Sequence, residues 1–229
     1  MLQDPGLEHV DLKTWPRAKH LAFFRDFENP HFHIVADVDI TVMHGAAGAS
    51  GRSRFAAMLH AVTWVANSIP ELRTRIRGEA VVRHRTVHPS FTTLVGEQYE
   101  YRGVRHDGDF DRFEAAVGAE LKRPSDGGLG AEGLDVDDLL YVSCVPWVHF
   151  TGFQHASWRP RVDSIPRITW GRFSRIEGAR GTRVVTPVSI QVHHGLADGL
   201  HVGRFFEGIE ARVNDTTWLT RAPEGHPAR

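Results

Sequence analysis

The chain has 229 residues, 41% of them hydrophobic, and 27 basic against 28 acidic side chains leave a net charge of −1 at pH 7. That composition supports a sizeable core and gives no electrostatic footing for nucleic acid or an anionic membrane surface. The single cysteine, Cys144, excludes an intrachain disulfide, and no apolar run approaches the roughly 20 residues that a bilayer span needs.

Residues 1–10 read as a loose lead-in without the basic and apolar regions of a signal peptide, so the expected setting is the soluble cytoplasm. Residues 12–27 predict a helix, with Asp11 as N-cap, Pro16 near the first turn and Asn29-Pro30 as its stop. Residues 31–42 predict a strand that puts Ile34, Ala36, Val38 and Ile40 on one face. Residues 45–51 read as a small-residue loop. Residues 54–68 predict an amphipathic helix along Phe55, Met58, Leu59, Val62 and Val65.

A short helical turn is expected over 70–77, then strands over 79–88 and 90–95, split by Pro89, and a charged strand over 98–105. Phe110, Phe113, Val117 and Leu121 keep helical register over 110–122, and the glycine-rich stretch 124–133 reads as a loop. Strands around Pro146-Trp147 occupy 139–150. Residues 165–173 and 182–192 read as a hairpin, and 202–214 as the last helix. With no internal repeat, the pattern predicts one α+β domain over 1–229 with a mixed sheet, ending in a polar tail over about 216–229.

The chemistry concentrates where the last strand meets the last helix, at His193-His194-Gly195-Leu196-Ala197-Asp198-Gly199-Leu200-His201. Histidine titrates near neutral pH, and an acid nearby can fix its surroundings, so a His with Asp198 makes a general-base site. The bland alternative is a glycine-bounded turn whose histidines bond to backbone. A metal reading would use His194, Asp198 and His201, but a fourth ligand of convincing spacing is missing. Cys144, between Ser143 and Val145, reads as a small core residue rather than a nucleophile.

This segment resembles the active-site signature of type A chloramphenicol acetyltransferases, His-His-x-x-x-Asp-Gly-Phe-His-Val-x-Arg, with Leu200 in place of the Phe. The resemblance runs in order through Trp15-x-Arg17-x-x-His20-x-x-Phe23, Asp39-Ile40-Thr41, Pro70-Glu71-Leu72-Arg73, Val87-His88-Pro89, Ser143-x-x-Pro146-Trp147 and Pro166-x-Ile168-Thr169. It implies a two-layer, coenzyme A-dependent acyltransferase fold and a homotrimer with active sites between subunits. Acetyl-CoA would be co-substrate, chloramphenicol or a similar hydroxyl compound the acceptor, and no metal would take part.

On the resemblance, His194 is the general base, with His193 as its structural neighbour. Ser143 donates a hydrogen bond to the oxyanion, and Arg17 pairs with Asp198 to brace the loop. Phe24 and Phe32 line the acceptor pocket, and Thr169 holds a water near the intermediate. Arg172 and Phe173, where the family has Lys-Tyr, flank the coenzyme A site with Trp147. Departures at Phe55-Ala56-Ala57 and Leu129-Gly130 alter the expected acceptor walls. The competing readings are a same-fold acyltransferase with another acceptor, related to dihydrolipoamide acyltransferases or peptide-synthetase condensation domains, and a non-catalytic ligand-binding protein.

Overall fold

The computed structural model describes residues 7–125, 136–157, 163–179 and 181–220. Its centre is a mixed sheet built on β10 (Gly181–His193), whose run Val184–His193 is buried on both faces. β2 (His31–Asp39) pairs antiparallel with one side of β10. On the other side lie β8 (Arg167–Trp170) and the hairpin strand β9 (Ser174–Gly178), both antiparallel. β7 (Leu139–Cys144) and β5 (His88–Val95) continue the sheet in parallel, and β6 (Gln98–Gly103) closes the edge antiparallel to β5. A second sheet orders β1 (Leu7–His9), β4 (Ala80–His84) and β3 (Thr74–Arg77).

One face of the large sheet carries the apolar layer. Val188, Ile190 and Val192 of β10 join Val38, Ile168, Trp170, Leu140, Val142 and Phe91 in one core with the helices α2 (Thr41–Ala49), α3 (Arg54–Ser68), α4 (Phe110–Lys122) and α5 (Gly199–Asn214). The architecture is therefore α+β, a mixed sheet with a helical layer, as the sequence predicted. Helix α3 is its centre, buried from Ala56 through Val62, with Ser53 capping its first turn. The alternate residues of β10 face the other way, where Ser189 and Gln191 bond to the segment 153–157.

Several elements depart from expectation. Residues 7–9 are strand β1, not lead-in. The first helix, α1 (Ala18–Phe24), is shorter than expected because Pro16 disfavours helical backbone at Trp15; residues 11–17 form turns, tied by the Asp11 carboxylate to Lys13 N–H and the Thr14 hydroxyl. β2 ends at Asp39, and the expected loop at 45–51 is mostly α2, whose Met43 and Ala47 are fully buried. Its small residues carry no apolar stripe, so packing decides the helix.

Only Pro70–Arg73 is a 3₁₀ turn, and β3 follows it directly. Pro89 lies inside β5, one residue before its first β6 partner, Ser90, so its missing N–H breaks no bond of that ladder. Residues 139–150 hold one strand, not several. The expected polar tail begins later: Leu219 of a short helix, α6 (Thr217–Thr220), is buried in the main core. The altered positions Leu129-Gly130 and the remainder of the tail lie outside the described residues. Among the described residues no helix is long and apolar enough to cross a membrane.

Candidate active site

The sheet delivers the histidine pair at the end of β10, where His193 stands opposite His31 of β2. The chain then turns at once: Leu196 and Ala197 N–H donate to the His193 carbonyl at 2.9 and 3.1 Å. Gly195 N–H donates to His193 Nδ1 at 3.1 Å, so the buried His193 braces the turn. A side chain at Gly195 would lie 3.1 Å from the Leu21 backbone and 3.0 Å from the His193 ring, and only glycine fits comfortably there.

His194 is held on every side. Its N–H donates to the Pro30 carbonyl at 2.8 Å. Its ring stacks on Phe24 at 4.3 Å with 15° between planes, and Phe32 lies 4.5 Å away. Its Nδ1 is 3.2 Å from the Ala197 carbonyl. A carbonyl only accepts, so the proton sits on Nδ1 and Nε2 keeps a lone pair.

Arg17 closes the loop from the far end of the chain. Its Nη1 donates to Asp198 Oδ2 at 2.6 Å and its Nη2 to the His194 carbonyl at 3.0 Å. Asp198 is the N-cap of α5, accepting from Leu200 N–H at 3.0 Å. Burial pushes its carboxyl up, but the Arg17 hydrogen bond and the charges of His201 and Arg17 outweigh that and bring it down to about 2. Leu196, in the same loop, packs with Leu21, Ile76 and Val81 in a satellite cluster under the small sheet.

Two residues of this network have roles that the sequence did not assign: His201 figured there only as a possible metal ligand and Glu71 only within the family pattern. His201 Nδ1 accepts from Asp198 N–H at 3.1 Å, completing a capping box with histidine in the position usually held by Glu or Gln. Its Nε2 lies 3.4 Å from Glu71 Oε1, on the 3₁₀ turn after α3. The local signal was the spacing Asp-x-x-His at a helix start; nothing local pointed to Glu71.

Ser143 and Thr169 form a second group. They are register partners on β7 and β8, and Thr169 stands opposite Ser189 of β10. Thr169 is fully buried, with its hydroxyl 2.7 Å from Nε2 of His155, a residue without a sequence signal. His194 follows Ser189 by about 16 Å of strand, and Ser143 lies about 10 Å further across the sheet. No hydrogen bond among the described residues joins the two groups.

Arg172 and Phe173 follow β8 and are joined by backbone to the segment after β7 that carries Trp147. Arg172 N–H donates to the Val148 carbonyl at 2.9 Å, beside the exposed Trp147, and Phe173 meets His44 edge-on at 6.0 Å. Burial pushes the Cys144 thiol up to about 11, so it stays protonated at neutral pH and packs as a core residue.

The sequence model of the family described as Chloramphenicol acetyltransferase matches residues 6–210. A chloramphenicol acetyltransferase of Streptomyces acrimycini is 32% identical over 218 residues, 92% of this chain and 96% of its own. Chloramphenicol acetyltransferase 3 of Escherichia coli is 27% identical, over 89% of this chain and 95% of its own. A solved chloramphenicol acetyltransferase superposes with a TM-score of 0.83 at 28% identity, covering 90% of this chain and 99% of that one. The cubic core of a pyruvate dehydrogenase complex shares the fold, with a TM-score of 0.65 at 16% identity over 88% of each chain. With the turn, the fold and the relatives in agreement, this chain belongs to the chloramphenicol acetyltransferase family and is an acyltransferase.

Proposed function

We propose that the protein transfers the acetyl group of acetyl-CoA to the hydroxyl of chloramphenicol, inactivating it, with His194 as general base. The observation that carries this reading is the bond from His194 Nδ1 to the Ala197 carbonyl, which leaves Nε2 as the basic atom of a ring clamped by Phe24 and Phe32. Nε2 takes the acceptor's hydroxyl proton while that oxygen attacks the thioester carbonyl. Ser143 donates to the oxyanion of the tetrahedral intermediate, a contribution on the order of 10²–10³ in rate. Collapse breaks the carbon–sulfur bond, and the leaving thiolate takes the proton back from His194. No acyl-enzyme forms.

In this reading Asp198 and Arg17 position the His194 loop, and Phe24, Phe32 and Thr169 belong to the acceptor side. Arg172, Phe173 and Trp147 flank coenzyme A. The whole chain acts as one catalytic domain in the cytoplasm. The separation of Ser143 from His194 along the sheet supports a site shared between adjacent subunits, and the family resemblance makes that assembly a homotrimer.

The test is a thiol-release assay with acetyl-CoA and chloramphenicol. Wild type is expected to release coenzyme A, and His194→Ala is expected to lose that activity with acetyl-CoA binding intact. Turnover only with other hydroxyl compounds would replace the acceptor and keep the chemistry. Coenzyme A binding with no turnover on any acceptor would overturn the catalytic reading. Mixing inactive His194→Ala with inactive Ser143→Ala subunits is expected to restore activity if the site is shared between chains.

A further inference from the structure

We infer that His149 is a positioning residue for coenzyme A, tying the Trp147 segment across β10 to Asp37 and Ser174 and so fixing where the Trp147 ring stands; this rests on the proposed placement of Trp147 beside coenzyme A. Trp147 is 63% exposed, so little of its own protein packs the ring in place. The backbone on either side of it must do so.

The stretch up to Val148 is held by main-chain bonds. Val145 N–H donates to the Trp170 carbonyl at 2.9 Å, Val148 N–H to the Val145 carbonyl at 3.3 Å, and Arg172 N–H to the Val148 carbonyl at 2.9 Å. The approach is close: a Cβ at Gly171 would stand 2.6 Å from the Val148 carbonyl oxygen and 2.7 Å from the Pro187 ring.

Beyond Val148 the tie is the His149 side chain, which has one partner on each side of β10. Its Nδ1 lies 3.1 Å from the hydroxyl of Ser174, at the start of β9, and its Nε2 lies 3.0 Å from Asp37 Oδ1, on β2. Ser174 stands opposite Val185 and Asp37 opposite Pro187, so the ring crosses β10 on the face away from the helices. A carboxylate only accepts, so Nε2 carries a proton for Asp37, and in the neutral ring Nδ1 takes the proton of the Ser174 hydroxyl. Both ring nitrogens are thus engaged within the protein, and neither is left for a ligand. Asp37 is 54% exposed and His149 24%. Pairs this open to solvent add little to global stability, so the tie governs where the segment sits and not whether the chain folds.

Steady-state kinetics and calorimetric titration of the full chain with coenzyme A test this. His149→Phe keeps a ring and removes both bonds, and His149→Gln restores a donor and an acceptor. His149→Phe is expected to raise KM for acetyl-CoA and the Kd of coenzyme A about 3- to 10-fold, with kcat, KM for chloramphenicol and Tm unchanged. His149→Gln is expected to recover most of the loss. Asp37→Ala is expected to weaken coenzyme A in the same direction and to add nothing in the double variant with His149→Phe, because the two remove one interaction. An unchanged coenzyme A affinity in His149→Phe would overturn the inference. So would equal weakening of both substrates with a lower Tm, which marks a structural prop, or full additivity of Asp37→Ala and His149→Phe. The titration is independent of turnover: wild type that binds coenzyme A without acetylating chloramphenicol counts against the proposed function alone, and the Kd of His149→Phe still decides the role of His149. Wild type that does not bind coenzyme A overturns both.

Discussion

Arg17 and Asp198 lie 181 positions apart in sequence and 2.6 Å apart in space. The same guanidinium holds the His194 carbonyl at 3.0 Å, so one side chain sets both ends of the turn that presents the histidine. The charge of Asp198 goes to Arg17 and to its capping role, and the His194 ring takes its orientation from the Ala197 carbonyl. The acid and the histidine of the motif are thus coupled through backbone rather than by direct contact.

Removing that brace is expected to affect rate more than binding. Asp198→Ala loses an N-cap, worth about 1 kcal/mol, together with the partner of a buried Arg17. We expect kcat to fall at least about 10-fold with KM within a few-fold, and urea midpoints to fall in both Asp198→Ala and Arg17→Ala. The folded pKa of Asp198, about 2, lies below the ordinary 3.8, so its stabilisation is complete above pH 4 and is lost as pH falls through 2. A wild-type rate in Arg17→Ala would show that the turn holds itself.

The pair His201–Glu71 extends the brace to the end of α3. Glu71→Gln keeps a hydrogen-bonding oxygen and loses the charge, whereas Glu71→Ala loses both. The expected order of kcat is wild type, then Gln, then Ala, with His201→Ala at or below Glu71→Ala and unchanged circular dichroism throughout. Equal kcat in all four would remove Glu71 and His201 from the positioning network.

Gly195→Ala tests the close approach of the turn to α1. The added Cβ meets Leu21 backbone at 3.1 Å and the His193 ring at 3.0 Å, neither of which is the end of a flexible side chain. Displacement of the turn moves His194, so the variant is expected to fold with a stability loss of about 1–3 kcal/mol and a larger loss of kcat. Urea denaturation and the thiol-release assay measure the two effects separately.

A second group of histidines predicts sensitivity to acid. His60 is fully buried, stacked on Trp218 at 5.0 Å and next to Arg212, which lies over both Trp64 and Trp218. Burial, and then the Arg212 charge, lower His60 to about 4, and burial lowers His106 beside it to about 4. Both rings must be neutral in the folded state, so their stabilising effect is full above pH 6.5 and is lost as pH falls from 6.5 to 4. For His60 the loss is on the order of 3 kcal/mol. Urea midpoints at pH 7.5 and 5.0 should differ markedly in wild type and by less in His60→Gln. A wild-type midpoint unchanged between these pH values would rule this out.

Elements with a strong period were legible without tertiary information. The stripe Phe55, Met58, Leu59, Val62, Val65 located α3, and Phe110, Phe113, Val117 located α4, because a helix buries one face whatever it packs against. β10 and the turn after it were legible because a long β-branched run ends in a glycine-bounded motif. Helix α2 was not, since alanine and glycine carry no stripe. Strands β1 and β3 were not, since a strand of three or four residues exists only through its partner.

The sequence alone determined the α+β class and the likeness to the acyltransferase motif, and it named His194, Asp198, Ser143 and Thr169 as candidate site residues. Tertiary structure decided what each touches. It brought Arg17 to Asp198 and Phe24 to His194, tied Glu71 to His201, put His155 over Thr169, and set Ser143 far from His194 within one chain. The physical reason is range. Periodicity and capping act over a few residues and leave a local signature, whereas an ion pair between residues 17 and 198 exists only once the sheet has closed the loop between them.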